Sequence, residues 1–291
     1  MSLQRLLPWA LRVSWAVLAF TAGPALGDAL DPRSRAVQVA ASVVLWAVWG
    51  VVLVATLVPH PVSLTAMRCA TPASVVAVLV AGAEGGGSGE AALAVATAAL
   101  AMALAFLPET GTLFVNGPAY PNERRFLLRA PAPLLLGVLG VVWALALTGP
   151  VVGTLLVAAR QWVAGGVVLA AGVPLSVVLL RAVHGLSRRW LVFVPAGVVL
   201  HDPIALADPV LFRRQLVVAL GPADADSPAL DLTQAAPGLA LELTLTEEVP
   251  MLRTRPGRRL GEAVSPSRLL FTPTRPGAVL REAAERELPV R

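Results

Sequence analysis

Every long apolar run in this 291-residue chain lies before residue 184, and none follows it. Runs of this kind match the ~20 helical residues needed to cross a bilayer. Six spans are read, at about 8–27, 36–58, 63–81, 91–107, 131–148 and 163–183. The clearest is Ala36 to Val58, whose 23 residues carry no charge and include Trp46 and Trp49. At 1.5 Å per residue that is roughly 34 Å, enough to cross with slight tilt. With 56% apolar residues and a mean hydropathy of +0.74, the chain is too hydrophobic for an ordinary soluble protein.

Three stretches complicate the count. Pro24-Ala25-Leu26-Gly27 before Asp28 imitates a signal-peptidase site, but Arg12 inside the apolar region and the closely following spans favour a retained first helix. The third span carries Arg68. Gly149-Pro150 interrupts the fifth, and the piece 151–159 is too short to cross, so it either extends the fifth helix or lies re-entrant.

Charge orients the set. All 23 basic residues are arginine; residues 1–190 hold 12 of them against 6 acids, and residues 191–291 hold 11 against 12. The excess therefore accompanies the spans, where topology needs it, and no basic tract interleaved with aromatics marks a nucleic-acid groove. With the N-terminus inside, Arg5, Arg124, Arg125, Arg129, Arg188 and Arg189 fall on the inner side. Only Arg33, Arg35 and Arg160 fall outside, so both termini are expected in the cytoplasm. Arg12, Arg68 and Arg181 lie within a turn or two of cytoplasmic helix ends and are expected to snorkel. No charge is left at mid-bilayer, which argues against ion-coupled transport. Gln38, Ser42, Thr56 and Thr97 are expected to bond between helices or to the preceding turn.

Beyond Ser187 the pattern changes to a soluble domain, 187–291. Trp190 to Val194 and Val198 to Asp202, joined by Pro195-Ala196-Gly197, read as a hairpin. Leu211 to Leu220 reads as one strand, with further strands at Met251 to Thr254 and Arg268 to Phe271. Leu239, Leu241, Leu243 and Leu245 alternate with Ala240, Glu242, Thr244 and Thr246, which predicts a half-buried strand with Glu242 on its wet face. The Gly221 to Pro228 stretch leaves the strand count open. Leu280, Ala283, Ala284 and Leu288 set the stripe of a terminal helix at about 276–288.

RRWLVFVPAGVVLHD at the start of this region and RLLFTPTRPGAVLREAAER at its end resemble a group of multi-pass membrane proteins from high-GC, actinobacterial-type bacteria. The resemblance implies a pleckstrin-homology-like cytoplasmic domain, a bent antiparallel sandwich capped by a helix. It implies no activity. The expected fold class is a six-helix membrane bundle over residues 1–186 followed by that β-rich domain.

Chemical motifs are sparse. Cys69 is the only cysteine, which excludes an intramolecular disulfide and a cysteine zinc cluster. His60, His184 and His201 are isolated, no nucleophile elbow or phosphate-loop lysine occurs, and Glu247-Glu248 would point to opposite faces of a strand. No catalytic residue, cofactor or metal is therefore assigned. Two surfaces remain. The connection 108–130 is long for a helix link, and its Tyr120, Asn122, Arg124 and Arg125 are candidates for docking on the tail domain. Arg253, Arg255, Arg258 and Arg259 are candidates for contact with anionic lipid, at about 1 kcal/mol each. The leading expectation is a non-enzymatic membrane-anchored adaptor or regulator binding protein or lipid through 187–291. The alternative is a small-solute transporter or channel regulated by that domain.

Overall fold

The structure, a computed structural model, describes residues 3–84, 89–254 and 261–291. It divides into two compact units, residues 1–117 with 141–183 and residues 118–140 with 184–291.

The first unit is helical: α1 (Leu3–Leu30), α2 (Arg35–Leu57), α3 (Pro61–Glu84), α4 (Gly89–Phe106), a short α5 (Pro108–Asn116), α6 (Leu139–Ala158, preceded by a π-turn at Leu134–Val138) and α7 (Trp162–Leu186). Among the described residues six helices are long and apolar enough to cross a bilayer, at Leu6–Leu30, Arg35–Leu57, Pro61–Glu84, Gly89–Phe106, Leu134–Ala158 and Trp162–Leu186. The chain is a multi-pass membrane protein.

Lipid is as apolar as the side chains it replaces, so helices associate in it through close packing rather than through the hydrophobic effect. Accordingly α4 presents Ala91, Ala94, Ala98, Ala101 and Ala105, all buried and spaced alternately three and four residues apart, to α1 and α3. α1 answers with Leu11, Trp15, Leu18 and Ala22.

Arg12 and Arg68 serve helix ends rather than only reaching for headgroups. Arg12 Nε donates to the Thr56 carbonyl and Arg68 Nε to the Ala105 carbonyl, each at 3.2 Å. Both acceptors lie in the last turn of a neighbouring helix, three residues before Pro59 and Pro108, where carbonyls lack an intrahelical donor. Each guanidinium also sits over an aromatic ring, Trp9 at 5.1 Å and Phe106 at 5.5 Å. Gln38, Thr56 and Thr97 bond to backbone carbonyls, as their positions suggested. Thr56 and Thr97 hydroxyls donate to the carbonyls of Leu53 and Leu93, and Gln38 ties down the α1–α2 turn through the Leu30, Asp31 and Arg33 carbonyls.

Gly149-Pro150 does not end the fifth span, and residues 151–158 continue α6. Pro150 has no N–H, which orphans the Ala146 carbonyl four residues earlier. The Ser176 hydroxyl of α7 donates to that carbonyl at 2.6 Å, so the break is repaired by the neighbouring helix. Closeness is secured by glycine: a Cβ added at Gly149 would lie 2.8 Å from the Gly172 Cα, and one at Gly153 2.7 Å from the Leu169 Cγ. The Trp143 indole donates to the Cys69 carbonyl at 2.9 Å and joins α6 to α3.

The second unit is β-rich: β1 (Arg124–Leu127), β2 (Trp190–Val194), β3 (Gly197–His201), β4 (Val210–Arg213), β5 (Val217–Pro222), β6 (Leu230–Asp231), β7 (Leu241–Leu245), β8 (Met251–Arg253), β9 (Glu262–Val264), β10 (Arg268–Phe271) and a closing helix α8 (Pro276–Glu285). One four-stranded sheet has the order β1-β2-β3-β4, a second β5-β7-β10-β6, and β8 pairs with β9. All pairings are antiparallel except β6 with β10. The buried faces meet in one core that includes Phe126, Phe193, Phe212, Leu243, Phe271 and, from α8, Val279.

Three sequence expectations change here. The 108–130 connection is not an irregular loop: it contains α5 and then β1, so the β-rich unit begins at 118 rather than 187. Leu211 to Leu220 is two strands, because a 3-10 turn at Arg214–Leu216 carries the chain from one sheet to the other. The terminal helix stops at Glu285, and Leu288 reaches the core through a turn in which Glu287 takes φ 56°. The β2–β3 hairpin forms as expected around Gly197, at φ +148°, where a Cβ would collide with the Phe212 carbonyl oxygen.

Candidate functional site

Two polar clusters and one surface of the β-rich unit carry what chemistry it has. The first cluster is built by the ends of three strands. Arg189, just before β2, has a side chain 1% exposed, as does Asp202 just after β3. Register brings them together, since Trp190 pairs with His201. Arg189 Nε and Nη2 donate to the two Asp202 carboxylate oxygens at 2.8 and 2.7 Å, while Nη1 donates to the Arg129 carbonyl beyond β1 at 2.7 Å. Asp202 also accepts from the backbone N–H groups of Ile204 and Ala205. A bidentate fork with its remaining positions filled is the arrangement in which a buried ion pair holds a fold together. Arg189 is thus a structural residue rather than a free charge at the membrane surface.

Beside it, the Trp190 and His201 rings stack at 5.1 Å and Arg125 lies over Trp190 at 5.4 Å. Burial, then the Arg188 and Arg125 charges, hold the His201 imidazole below its ordinary pKa against the opposing pull of Asp202. His201 is therefore neutral at pH 7.

The second cluster centres on Glu242, placed on a wet face by strand alternation but fully buried on β7. It is reached by the Ser227 hydroxyl at 2.6 Å, the Thr244 hydroxyl at 3.2 Å and Arg268 at 2.7 Å, with Arg291 at 3.5 Å. Alternation predicts which way a side chain points but not whether a loop such as the one holding Ser227 folds over it. Burial alone would raise the Glu242 carboxyl, but the Ser227 and Arg268 hydrogen bonds and the two arginine charges outweigh it and hold the group below its usual 4.5. A depressed carboxyl contributes its full stability above the unfolded pKa and loses it as pH falls through the folded value. The β-rich unit is accordingly expected to melt at progressively lower temperature as pH is lowered below about 4.5. Glu242→Gln should flatten that dependence in thermal unfolding measured across pH; an unchanged slope would count against the cluster.

The surface lies along β1, the edge strand of its sheet. Arg124 and Arg125 stand opposite Phe193 and Val192 of β2. Arg124 is exposed, and Arg125 pairs with Glu123 at 2.9 Å. Tyr120 is 74% exposed, and the Asn122 carbonyl accepts from Arg286 of the segment after α8 at 3.1 Å. Of the four arginines proposed for lipid contact, Arg253 ends β8 and directs Nη2 at the Asp231 carbonyl, 3.4 Å away. Arg255, Arg258 and Arg259 lie outside the described residues. Sequence reasoning missed Asp202, Ser227 and Glu242 as partners, because each pairs with residues distant in the chain. The only sequence signal was a carboxylate inside an otherwise apolar strand.

Among the described residues no group of three or more His, Cys, Asp or Glu side chains is arranged to hold a metal ion. Comparison of the chain with protein-family models, with curated proteins and with solved structures finds no match.

Proposed function

We propose that this chain is a non-enzymatic, membrane-anchored adaptor or regulator of a bacterial plasma membrane, whose β-rich domain faces the cytoplasm and binds a protein or an anionic lipid headgroup. The observation that carries this reading is β1. A strand encoded between two membrane spans completes the sheet of the C-terminal domain, so the chain enters that domain at 118, leaves at 140 and returns at 184. Three covalent crossings tether a recruiting domain more firmly than a single tail would. The cytoplasmic placement rests on the arginine excess at 124–129 together with Arg188, since Arg189 is paired with Asp202 inside the fold. Two four-stranded sheets closed by a terminal helix support a pleckstrin-homology-like reading, with the parallel β6–β10 pair as a departure from it. The exposed edge at Tyr120 to Arg124 is the surface assigned to the partner, and Arg253 is the described residue assigned to lipid.

The test uses the full-length protein in its native membrane. A photoreactive phenylalanine analogue replacing Tyr120, and separately Arg124, is expected to give a discrete protein or lipid adduct on illumination. Absence of an adduct at both positions, together with solute flux in proteoliposomes, would overturn this reading in favour of a regulated transporter.

A further inference from the structure

A second site lies within the helical unit. α1, α2 and α3 enclose a cavity of about 290 Å³. Its floor is made of small residues, Ala19, Gly23 and Gly27 on α1 with Ala70, Ala73 and Ala77 on α3. Trp46 and Trp49 of α2 form a wall, set edge to face at 5.4 Å. Elsewhere in this unit small residues bring helices into contact, as at Gly149 and Gly172. Here they do not: a Cβ added at Gly23 or Gly27 meets nothing within 4 Å. The room is therefore real space rather than a close helix crossing.

The polar groups around this space are already engaged. The Trp15 indole donates to the Trp49 carbonyl at 2.9 Å, and the Trp49 indole returns the bond to the Trp15 carbonyl at 3.0 Å. The Ser74 hydroxyl donates to the Thr71 carbonyl at 2.7 Å, which leaves Ser42 as the remaining lining hydroxyl. Apolar cavities of about 150 Å³ stay dry and take up small hydrocarbons, so a larger one opening into a bilayer favours hydrocarbon over water. The lining follows α1 from Trp15 to Leu30, roughly 22 Å at 1.5 Å per residue. That is longer than the ~15 Å half of a 30 Å hydrocarbon core, so the cleft fits an extended chain rather than a compact solute.

At the Leu30 end the chain displays both signs of charge. Arg33 is engaged with Glu84 at 3.1 Å. Arg35, Asp28 and Asp31 are exposed and have no ion-pair partner among the described residues. We propose that the cavity between α1, α2 and α3 holds one phospholipid whose headgroup carries both phosphate and ammonium. The acyl chain lies along Gly23 and Gly27, the phosphate meets Arg35, and the ammonium meets Asp28 and Asp31.

The test is native mass spectrometry of the full-length protein after reconstitution in vesicles of equal phosphatidylethanolamine and phosphatidylglycerol and extraction in mild detergent. One retained phosphatidylethanolamine per chain is expected. Gly23→Leu and Gly27→Leu place a side chain in the open space and improve helix propensity, so both variants should fold. Each should retain at least about tenfold less lipid, a difference of ~1.4 kcal/mol. Asp28→Asn with Asp31→Asn should shift retention toward phosphatidylglycerol without emptying the site, and Arg35→Gln should lower retention of both. Wild-type retention in both leucine variants would overturn the proposal. So would a preference for phosphatidylglycerol in the unmodified protein, or a bound species other than a phospholipid.

Discussion

Residues 187–291 expressed without the rest of the chain are expected to lack a cooperative unfolding transition, and joining residues 118–131 to them through a flexible linker is expected to restore it. The reason is what β1 brings to the sheet. Phe126 and Leu128 are 3% and 5% exposed in the core, and Phe126 meets Phe193 edge to face at 5.8 Å. Burying each contributes about 1.5–3 kcal/mol. The strand also supplies the ladder with β2 and the Arg129 carbonyl that Arg189 uses as its third acceptor. A buried donor left without its partner costs a further ~1–3 kcal/mol. The total is several kcal/mol against the 5–15 kcal/mol that holds a typical domain, so the shortened piece has little or no margin. Near-ultraviolet circular dichroism with temperature would compare the two versions. Coincident, cooperative melts would show that β1 is dispensable. In the full-length protein, Phe126→Ala should cost about 3–5 kcal/mol.

Asp202→Ala is expected to be among the most damaging single substitutions in the β-rich unit, at about 3–5 kcal/mol, because it strands the Arg189 guanidinium in the core. The loss should be nearly independent of salt, since the pair is shielded from solvent. Replacing both partners, Arg189→Met with Asp202→Leu, should recover most of it. Recovery will be incomplete, because Asp202 also accepts from Ile204 and Ala205 and those N–H groups would lose their acceptor. Limited proteolysis after residues 187–189, followed with temperature, reads the three proteins on one scale. A double variant no better than Asp202→Ala would mean that the backbone bonds, and not the ion pair, carry the cost.

These two results concern features that the sequence reveals unequally. The spans were legible because a bilayer demands length and hydropathy, which are local quantities: Ala36 to Val58 needs no partner to be recognised. The β2–β3 hairpin was legible for a similar reason, since its turn at Pro195 to Gly197 is a local instruction. β1 was not. Its four residues, Arg-Arg-Phe-Leu, carry no alternation long enough to read, and its partner lies more than sixty residues away. Arg189 looked like a topology marker because counting charges cannot distinguish a guanidinium facing lipid headgroups from one facing Asp202. Glu242 looked wet for the same reason: strand periodicity assigns a face, while burial depends on the Ser227 loop and Arg268.

By itself, then, the sequence determined that this protein crosses a membrane several times and that a β-rich domain with a closing helix follows. Period and hydropathy suffice for both. Only the tertiary structure decided where that domain begins, which charges it buries, and how the helix ends and the Pro150 break are satisfied. Each of those depends on donors and acceptors supplied across long stretches of chain, and a buried polar group is settled by the partner that reaches it rather than by its neighbours in sequence.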